Sequence, residues 1–317
     1  MRVVKVVIIA FVFIFTLYQT TIAGVFTIPN WVKNSCVFVM KNGKPVGTGF
    51  LLFLKHDKNY FCYLISAKHV IKPVLENPST PLSIRFNLKE KEGAETINFP
   101  TYLIKGKRWL EHPNEAIDLS VAVLNIFNVL DRLNVGARFI ERSDSEYIAS
   151  SDWLKKYKVG QGDQVFTLGL VPYLYTEDGP NMVLSRFGTI SLLPEDEILL
   201  PGGKQRAYFI DCQAFGGNSG GPAYVLIERT EKGPMFTGAK FGLLGIVTEF
   251  VPSPLRMKKV KTDEEQQHEK FQLIENTGIT KIVPIDYAMD IIFSDEQKDF
   301  RSKMIEIKQD TKSKGNL

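Results

Sequence analysis

Between residues 216 and 222 the chain reads Gly216-Gly217-Asn218-Ser219-Gly220-Gly221-Pro222. Four glycines around one serine are costly in conformational entropy and useless for building a core. The run belongs where the backbone must turn tightly, expose one side chain, and aim amide N–H groups at something small and negative. An acyl-transfer nucleophile with an oxyanion hole needs those three things, with Ser219 as the nucleophile. The plain alternative is a glycine-rich turn whose serine is incidental.

A serine hydroxyl is a poor nucleophile at its free pKa, so a base must be nearby, and something must orient that base. The chain has four histidines: His56, His69, His112 and His268. His69 follows the apolar, aromatic-rich run Tyr60-Phe61-Cys62-Tyr63-Leu64-Ile65, where a strand gives way to a short Ser66-Ala67-Lys68-His69 turn. A side chain just beyond a buried strand is held firmly yet can face a cleft. His56 sits in a polar turn, His112 precedes Pro113 in a loop, and His268 lies in a charged stretch. Taken alone, His69 reads equally as an ordinary strand-end histidine; beside the Ser219 segment it is the leading candidate base. Asp118 opens Leu119-Ser120-Val121-Ala122-Val123-Leu124, a run of strand-like length and β-branched content. A carboxylate at the mouth of such a strand is incompletely hydrated, and an imidazole N–H would satisfy it. Asp118 also reads as a turn residue that begins a strand. Glu115 is the nearest competitor, but it lies in the loop. The order His69, Asp118, Ser219 is the chymotrypsin order of the triad.

With these residues the chain resembles trypsin-like serine peptidases, on the chymotrypsin-fold branch that includes the HtrA/Deg proteases. The matching segments are Val46–Leu52, Ser66–Val70, Asp118–Leu124, Gly160–Gly169, Asp211–Pro222, Leu244–Thr248 and Asn276–Ile285. They occur in the family's order and span most of residues 30–293. The resemblance implies an all-β fold of two six-stranded antiparallel β-barrels with a short C-terminal helix. Residues 24–145 would form the first barrel and 146–293 the second with its closing helix, leaving 294–317 as a charged tail. It implies a secreted serine endopeptidase acting through an acyl-enzyme on a protein or peptide substrate, with no cofactor. Ser219 would be the nucleophile, His69 the base and later the acid. Asp118 would set the imidazole tautomer, and the N–H groups of Gly217 and Ser219 would form the oxyanion hole. A non-catalytic peptide-binding protein on the same scaffold, or an esterase using the same triad, are the alternatives.

Two departures from trypsin matter. Asn218 stands where trypsin has an aspartate, and an amide cannot form the ion pair with a freed amino terminus, so no trypsin-style activation is expected. Gln213 stands at the specificity position six residues before the serine, so arginine or lysine at P1 is not expected. Thr248, Glu249 and Phe250 would form the strand that pairs with the substrate backbone, and Phe250 would narrow the pocket mouth. That favours small or medium apolar P1 residues. The Thr248 hydroxyl would either donate to the buried acid, as a serine does in the family, or serve only strand propensity. The 24 residues after Phe293 are fewer than a domain of about 50 residues needs, so no PDZ domain is expected there.

The 317 residues are 44% hydrophobic, ample for a sizeable core, and the net charge of +4 does not point to nucleic acid. Met1-Arg2-Val3-Val4-Lys5 is basic, Val6 to Tyr18 is almost unbroken apolar sequence, and Ala23 ends the following segment. This reads as a secretory signal cleaved between Ala23 and Gly24, hence export and no stable membrane association; the rival reading is an N-terminal membrane anchor. The apolar run is short of the roughly 20 residues that span a bilayer. The three cysteines, Cys36, Cys62 and Cys212, allow at most one internal disulfide, with Cys36 and Cys62 in neighbouring strand-like segments and their pairing undetermined. No Cys/His spacing reads as a metal site. Asn42-Gly43 predicts a hairpin between Cys36–Met40 and Gly49–Leu54. Ser83 to Leu88 alternates with period two, as a half-solvated strand does. Residues 253–272, crowded with Lys, Glu and Gln, read as an inserted surface loop near the substrate side, either a solvated loop with no role or a substrate-gating or partner-binding one.

Overall fold

The Asn42-Gly43 pair closes the first hairpin of the N-terminal half. Both residues have positive φ, 51° and 74°, the requirement of a two-residue type I′ turn whose twist matches its strands. The turn joins β1 (Cys36–Lys41) to the long β2 (Lys44–His56), as the sequence predicts. The structure, a computed structural model, describes residues 26–75, 81–90, 92–99, 109–136, 139–143, 145–227, 240–254 and 274–314. The expected signal, residues 1–23, and nearly all of the expected 253–272 loop lie outside them. Among the described residues no helix is long and apolar enough to cross a membrane.

After β2 come β3 (Asn59–Ser66), helix α2 (Lys68–Leu75), β4 (Leu82–Asn87), β5 (Ala94–Phe99), β6 (Leu110–Glu111) and β7 (Ser120–Leu124). A short helix α1 (Asn30–Lys33) precedes β1. The sheet order is β5-β4-β1-β2-β3-β7-β6, with β8 (Phe139–Ile140) added parallel to β2. Strand period dictates how this sheet is buried. Phe50, Leu52 and Leu54 of β2 face one cluster with Tyr63, Ile65 and Val121. Leu51 and Phe53 face another with Cys62, Leu64, Ile84 and the apolar face of α2. Cys36 falls in the first cluster and Cys62 in the second, on opposite faces of the sheet, and all three cysteines are free.

The C-terminal half adds helix α3 (Ser151–Lys156), then β9 (Gln164–Leu170), β10 (Val183–Leu192), the hairpin β11 (Ile198–Leu200) and β12 (Gly203–Gln205), and β13 (Tyr208–Asp211). It ends with β14 (Pro222–Ile227), β15 (Lys240–Pro254), β16 (Ile274–Pro284) and helix α4 (Ile285–Ile292). Six of these strands close into an antiparallel barrel, β10-β13-β16-β15-β14-β9. The fold is thus all-β with a few helices, one half a closed six-stranded barrel and the other a largely antiparallel eight-stranded sheet. The first cluster continues from the N-terminal sheet into Phe166, Leu168, Tyr224, Ile246 and Val283 of the barrel, so one core joins the halves.

Residues expected as a charged tail instead form helix α5 (Asp295–Lys314). Its anchor is Arg301, 1% exposed, whose Nη1 donates to Tyr63 Oη at 2.8 Å and to the Ile292 carbonyl at 2.7 Å. Gln297, one turn earlier, is also fully buried, and Phe300 packs against the shared core. A composition rich in lysine and acid conceals this, because the buried face is carried by polar residues rather than an apolar stripe.

Candidate active site

The β3–β7 pairing brings the first two candidate residues together. Ser66 lies opposite Ser120, and continuing that antiparallel register past both strand ends puts Asp118 beside the start of α2. There His69 is not in a simple turn but in the first turn of α2, where backbone N–H groups lack helical partners. Asp118 grips His69 twice. Its Oδ1 accepts from the His69 backbone N–H at 3.0 Å, and its Oδ2 is 2.7 Å from His69 Nδ1. Burial alone would raise the Asp118 pKa, but the hydrogen bond and charge of His69, with a contribution from Lys281, take it below the ordinary carboxylate value. The hydrogen bond to Asp118 raises the His69 pKa; partial burial opposes this, and the charges of Asp118 and Glu249 add to it. Nε2 is left as the nitrogen able to take a proton once Nδ1–H is committed to the carboxylate.

Ser219 sits in a tight turn, as its glycines predict. Asn218 N–H donates to the Phe215 carbonyl at 3.0 Å, and Gly217, third in that turn, has φ +96°, the type II signature. A Cβ on Gly217 would overlap the Pro172 ring, and one on Gly220 (φ +87°) would overlap the Thr48 carbonyl and Ser66 Oγ. The Asn218 amide is buried: its Oδ1 accepts from Phe215 N–H at 2.9 Å and its Nδ2 reaches the Leu170 carbonyl at 3.5 Å. Both hydrogen bonds of the Asn218 amide are therefore to neighbouring backbone of the same half. The Gly217 and Ser219 N–H groups, the expected oxyanion donors, take no protein acceptor among the described residues.

Packing sets Ser219 against the segment that carries His69. Thr48 N–H donates to the Ser219 carbonyl at 3.0 Å, and the Cα of Gly47 is wedged between that carbonyl and the Val70 side chain. Gly220 lies against Ser66 and Ala67. Ser219 Oγ does not donate to His69, however. It donates to the Thr248 carbonyl at 2.8 Å.

Beside Ser219 opens a cleft of about 360 Å³ lined by Ala214, Phe215, Gly216 and residues of β15: Val247, Thr248, Glu249, Phe250 and Pro252. Three of the four expected substrate-binding residues therefore meet there. Gln213 does not; it is exposed and outside the cleft lining, and Ala214 and Phe215 take the place expected for it. The Thr248 hydroxyl reaches the Lys281 carbonyl at 3.4 Å rather than Asp118. Lys281, 6% exposed, was not anticipated: its Nζ pairs with Glu249 Oε1 at 2.8 Å, neutralising the cleft's carboxylate. No signal in the sequence marks it, since the pair depends on strands 32 residues apart. Thr48 was also missed, although its place between Gly47 and Gly49 was a hint of close backbone approach. A larger cavity of about 580 Å³, between α3 and the end of β10, contains none of the candidate residues.

No protein-family model and no curated protein matches the sequence. Among solved structures the chain is similar to the MamO protease domain from Magnetospirillum magneticum, with 14% identity, 82% of this chain and 96% of that one covered, and a TM-score of 0.43. It is similar to the HtrA-type protease AlgW solved with a decapeptide, at 15% identity, 79% and 51% coverage, and a TM-score of 0.40. It is also similar to an inactive form of the Rv3671c protease of M. tuberculosis H37Rv, at 11% identity, 82% and 88% coverage, and a TM-score of 0.42. These are protease domains of the trypsin-like and HtrA types, and the chemistry of this chain is read from its own site.

Proposed function

We propose that this chain is an exported serine endopeptidase that cleaves peptide bonds through an acyl-enzyme. The observation that carries the reading is the double grip of Asp118 on His69 next to a serine flanked by two uncommitted backbone N–H groups. In the proposed reaction Ser219 Oγ attacks the substrate carbonyl carbon while its proton passes to His69 Nε2. Negative charge gathers on the carbonyl oxygen between the N–H groups of Gly217 and Ser219, and Asp118 stabilises the imidazolium. The C–N bond breaks, His69 returns the proton to the leaving amine, and water repeats the sequence in reverse roles to release the acid. The apolar walls Ala214, Phe215 and Phe250, with Glu249 already paired to Lys281, support an uncharged P1 side chain. Export rests on the basic start and apolar run of residues 1–23.

A second reading, a peptide-binding protein without turnover, is favoured by the Ser219 hydrogen bond to Thr248 instead of His69. A fluorophosphonate probe separates the two. Labelling that disappears in Ser219→Ala supports the enzyme, and an unlabelled native protein overturns it. Casein or peptide-library hydrolysis, set against simple ester hydrolysis, then separates peptidase from esterase.

A further inference from the structure

Four hydrogen bonds converge on Thr48, a fully buried residue of the N-terminal sheet. Its N–H donates to the Ser219 carbonyl at 3.0 Å, and its carbonyl accepts from Ser66 Oγ at 2.7 Å. Its hydroxyl donates to the Gly217 carbonyl at 2.7 Å and accepts from the Leu170 N–H at 2.9 Å. The β1–β2 ladder, with Thr48 opposite Phe38, fixes the residue that does this. A single side chain thereby joins the N-terminal sheet, the end of β9 and the turn that presents Ser219.

The consequence follows from how a turn can change. A type II turn differs from a type I turn by a flip of its central peptide, here Gly216–Gly217, which reverses the direction of the Gly217 N–H. That flip pivots on the torsions flanking the central peptide, and its C-terminal anchor is the next peptide plane. The Gly217 carbonyl belongs to that next plane, whose N–H is already held by the Phe215 carbonyl. With the Thr48 hydroxyl on the carbonyl and Phe215 on the N–H, the plane is held from both sides. Ser219 N–H is aimed separately, because its own peptide is held through the Asn218 carbonyl by Gly221 N–H at 2.9 Å. Of the two donors, only Gly217 depends on the Thr48 side chain; the plane after Ser219 is held by the Thr48 backbone N–H, which a side-chain change leaves in place.

We propose that Thr48 is a positioning residue that locks the turn in the form presenting the Gly217 N–H to the substrate oxygen, an inference that rests on the peptidase reading. It touches neither substrate nor reacting atoms. Thr48→Val keeps the shape and removes the hydroxyl, while Thr48→Ser keeps the hydroxyl. Losing one oxyanion donor costs about 10²–10³-fold in turnover. The Thr48→Val protein should therefore label with a fluorophosphonate, and turn over a peptide substrate, about 10²-fold more slowly. Its KM and the pH midpoint of labelling, which report the cleft and the His69–Asp118 pair, should not move. Thr48→Ser should restore the rate to within about threefold of the native protein. Thermal unfolding is read alongside, and if Thr48→Val does not fold, Thr48→Ala carries the same expectation. Labelling of Thr48→Val at the native rate, or a pH midpoint that shifts with it, overturns the proposal while leaving the peptidase reading intact. An unlabelled native protein overturns both.

Discussion

Replacing Asp118 by asparagine tests the heart of the site with a change of one atom. Asp118 presents two acceptors to His69, one to the backbone N–H at 3.0 Å and one to Nδ1 at 2.7 Å. An amide has one acceptor and one donor. If its oxygen stays on the backbone N–H, its NH₂ faces Nδ1, which must then be the unprotonated nitrogen, and Nε2 carries the hydrogen. Such a ring cannot take the serine proton. The opposite orientation restores the tautomer but sets NH₂ against N–H, leaving a donor unsatisfied at about 1–3 kcal/mol. The imidazolium that forms during reaction also loses its counter-charge. Opposite charges 4 Å apart are worth about 4 kcal/mol at an effective dielectric of 20, and the half-exposed imidazole reduces this to nearer 2 kcal/mol. Together these are about 3–5 kcal/mol, or two to four powers of ten in rate at 1.36 kcal/mol each. The upper end equals the loss known for the same change in a serine protease triad.

The assay is the rate of fluorophosphonate labelling from pH 5 to 9. Neutral His69 is the competent base, and its pKa is raised above the usual value near 6.5, so native labelling should climb with pH through a midpoint above that value. In Asp118→Asn the largest raising cause is gone while the burial that lowers the pKa remains, so the midpoint should fall as the plateau collapses. The stability signs agree. The raised His69 contributes stability that is full below its unfolded pKa and is lost as pH rises through the folded one. The lowered Asp118 contributes stability that is full above its unfolded pKa and is lost as pH falls through the folded one. The native-minus-variant stability difference should therefore be greatest between about pH 4 and 6.5. A folded Asp118→Asn protein that labels within tenfold of native, at an unshifted midpoint, would refute the reasoning.

Two further outcomes follow from the packing. Arg301→Ala removes two charge-assisted hydrogen bonds and a buried side chain, so it should lower the urea unfolding free energy by about 3 kcal/mol and expose α5 to proteolysis; a change under about 0.5 kcal/mol would mean the helix is merely resting there. Burial pushes the Cys36 thiol up to about 12 and raises Cys62 and Cys212 as well, so Ellman's reagent should find almost no reactive thiol in native protein and three in denaturant.

What the sequence disclosed and what it hid divide along the range of the interaction. Asn42-Gly43 and the glycines around Ser219 constrain their own backbone, so a turn can be read from them directly. The short, continuous apolar runs of β2, β3 and β7, rich in aromatic and β-branched residues, likewise state their strand character locally. The His69–Asp118 contact was legible only because each residue stands just past the end of a recognisable strand, and neighbouring strands bring such ends together. Lys281, Thr48 and Arg301 share the opposite property. Each is a buried polar residue with a partner far away in sequence, 32 positions for Lys281, 169 for Thr48 and 238 for Arg301. Gln213, outside the cleft lining while Ala214 and Phe215 line it, meets a related limit. Counting back six residues from the serine assumes a loop path, and here the chain turns so that Ala214 and Phe215 face the cleft.

That division also explains where catalytic control would reside. His69 and Asp118 both come from the N-terminal sheet, and their contact is closed within it. Ser219 and its N–H groups come from the barrel, and the turn's own hydrogen bonds shape them together with those from Thr48. Proton transfer in the proposed reaction needs the two sets in register, and contacts between the halves supply it, among them the shared core around Phe50, Tyr63, Phe166 and Tyr224 and the Thr48 bonds. The present Ser219 rotamer, bonded to the Thr248 carbonyl, leaves His69 Nε2 without its serine partner. Turning Oγ toward the imidazole would exchange one hydrogen bond for another of similar strength. A substrate that fills the cleft beside Thr248 and competes for its carbonyl would tip that exchange toward the geometry the proposed reaction needs.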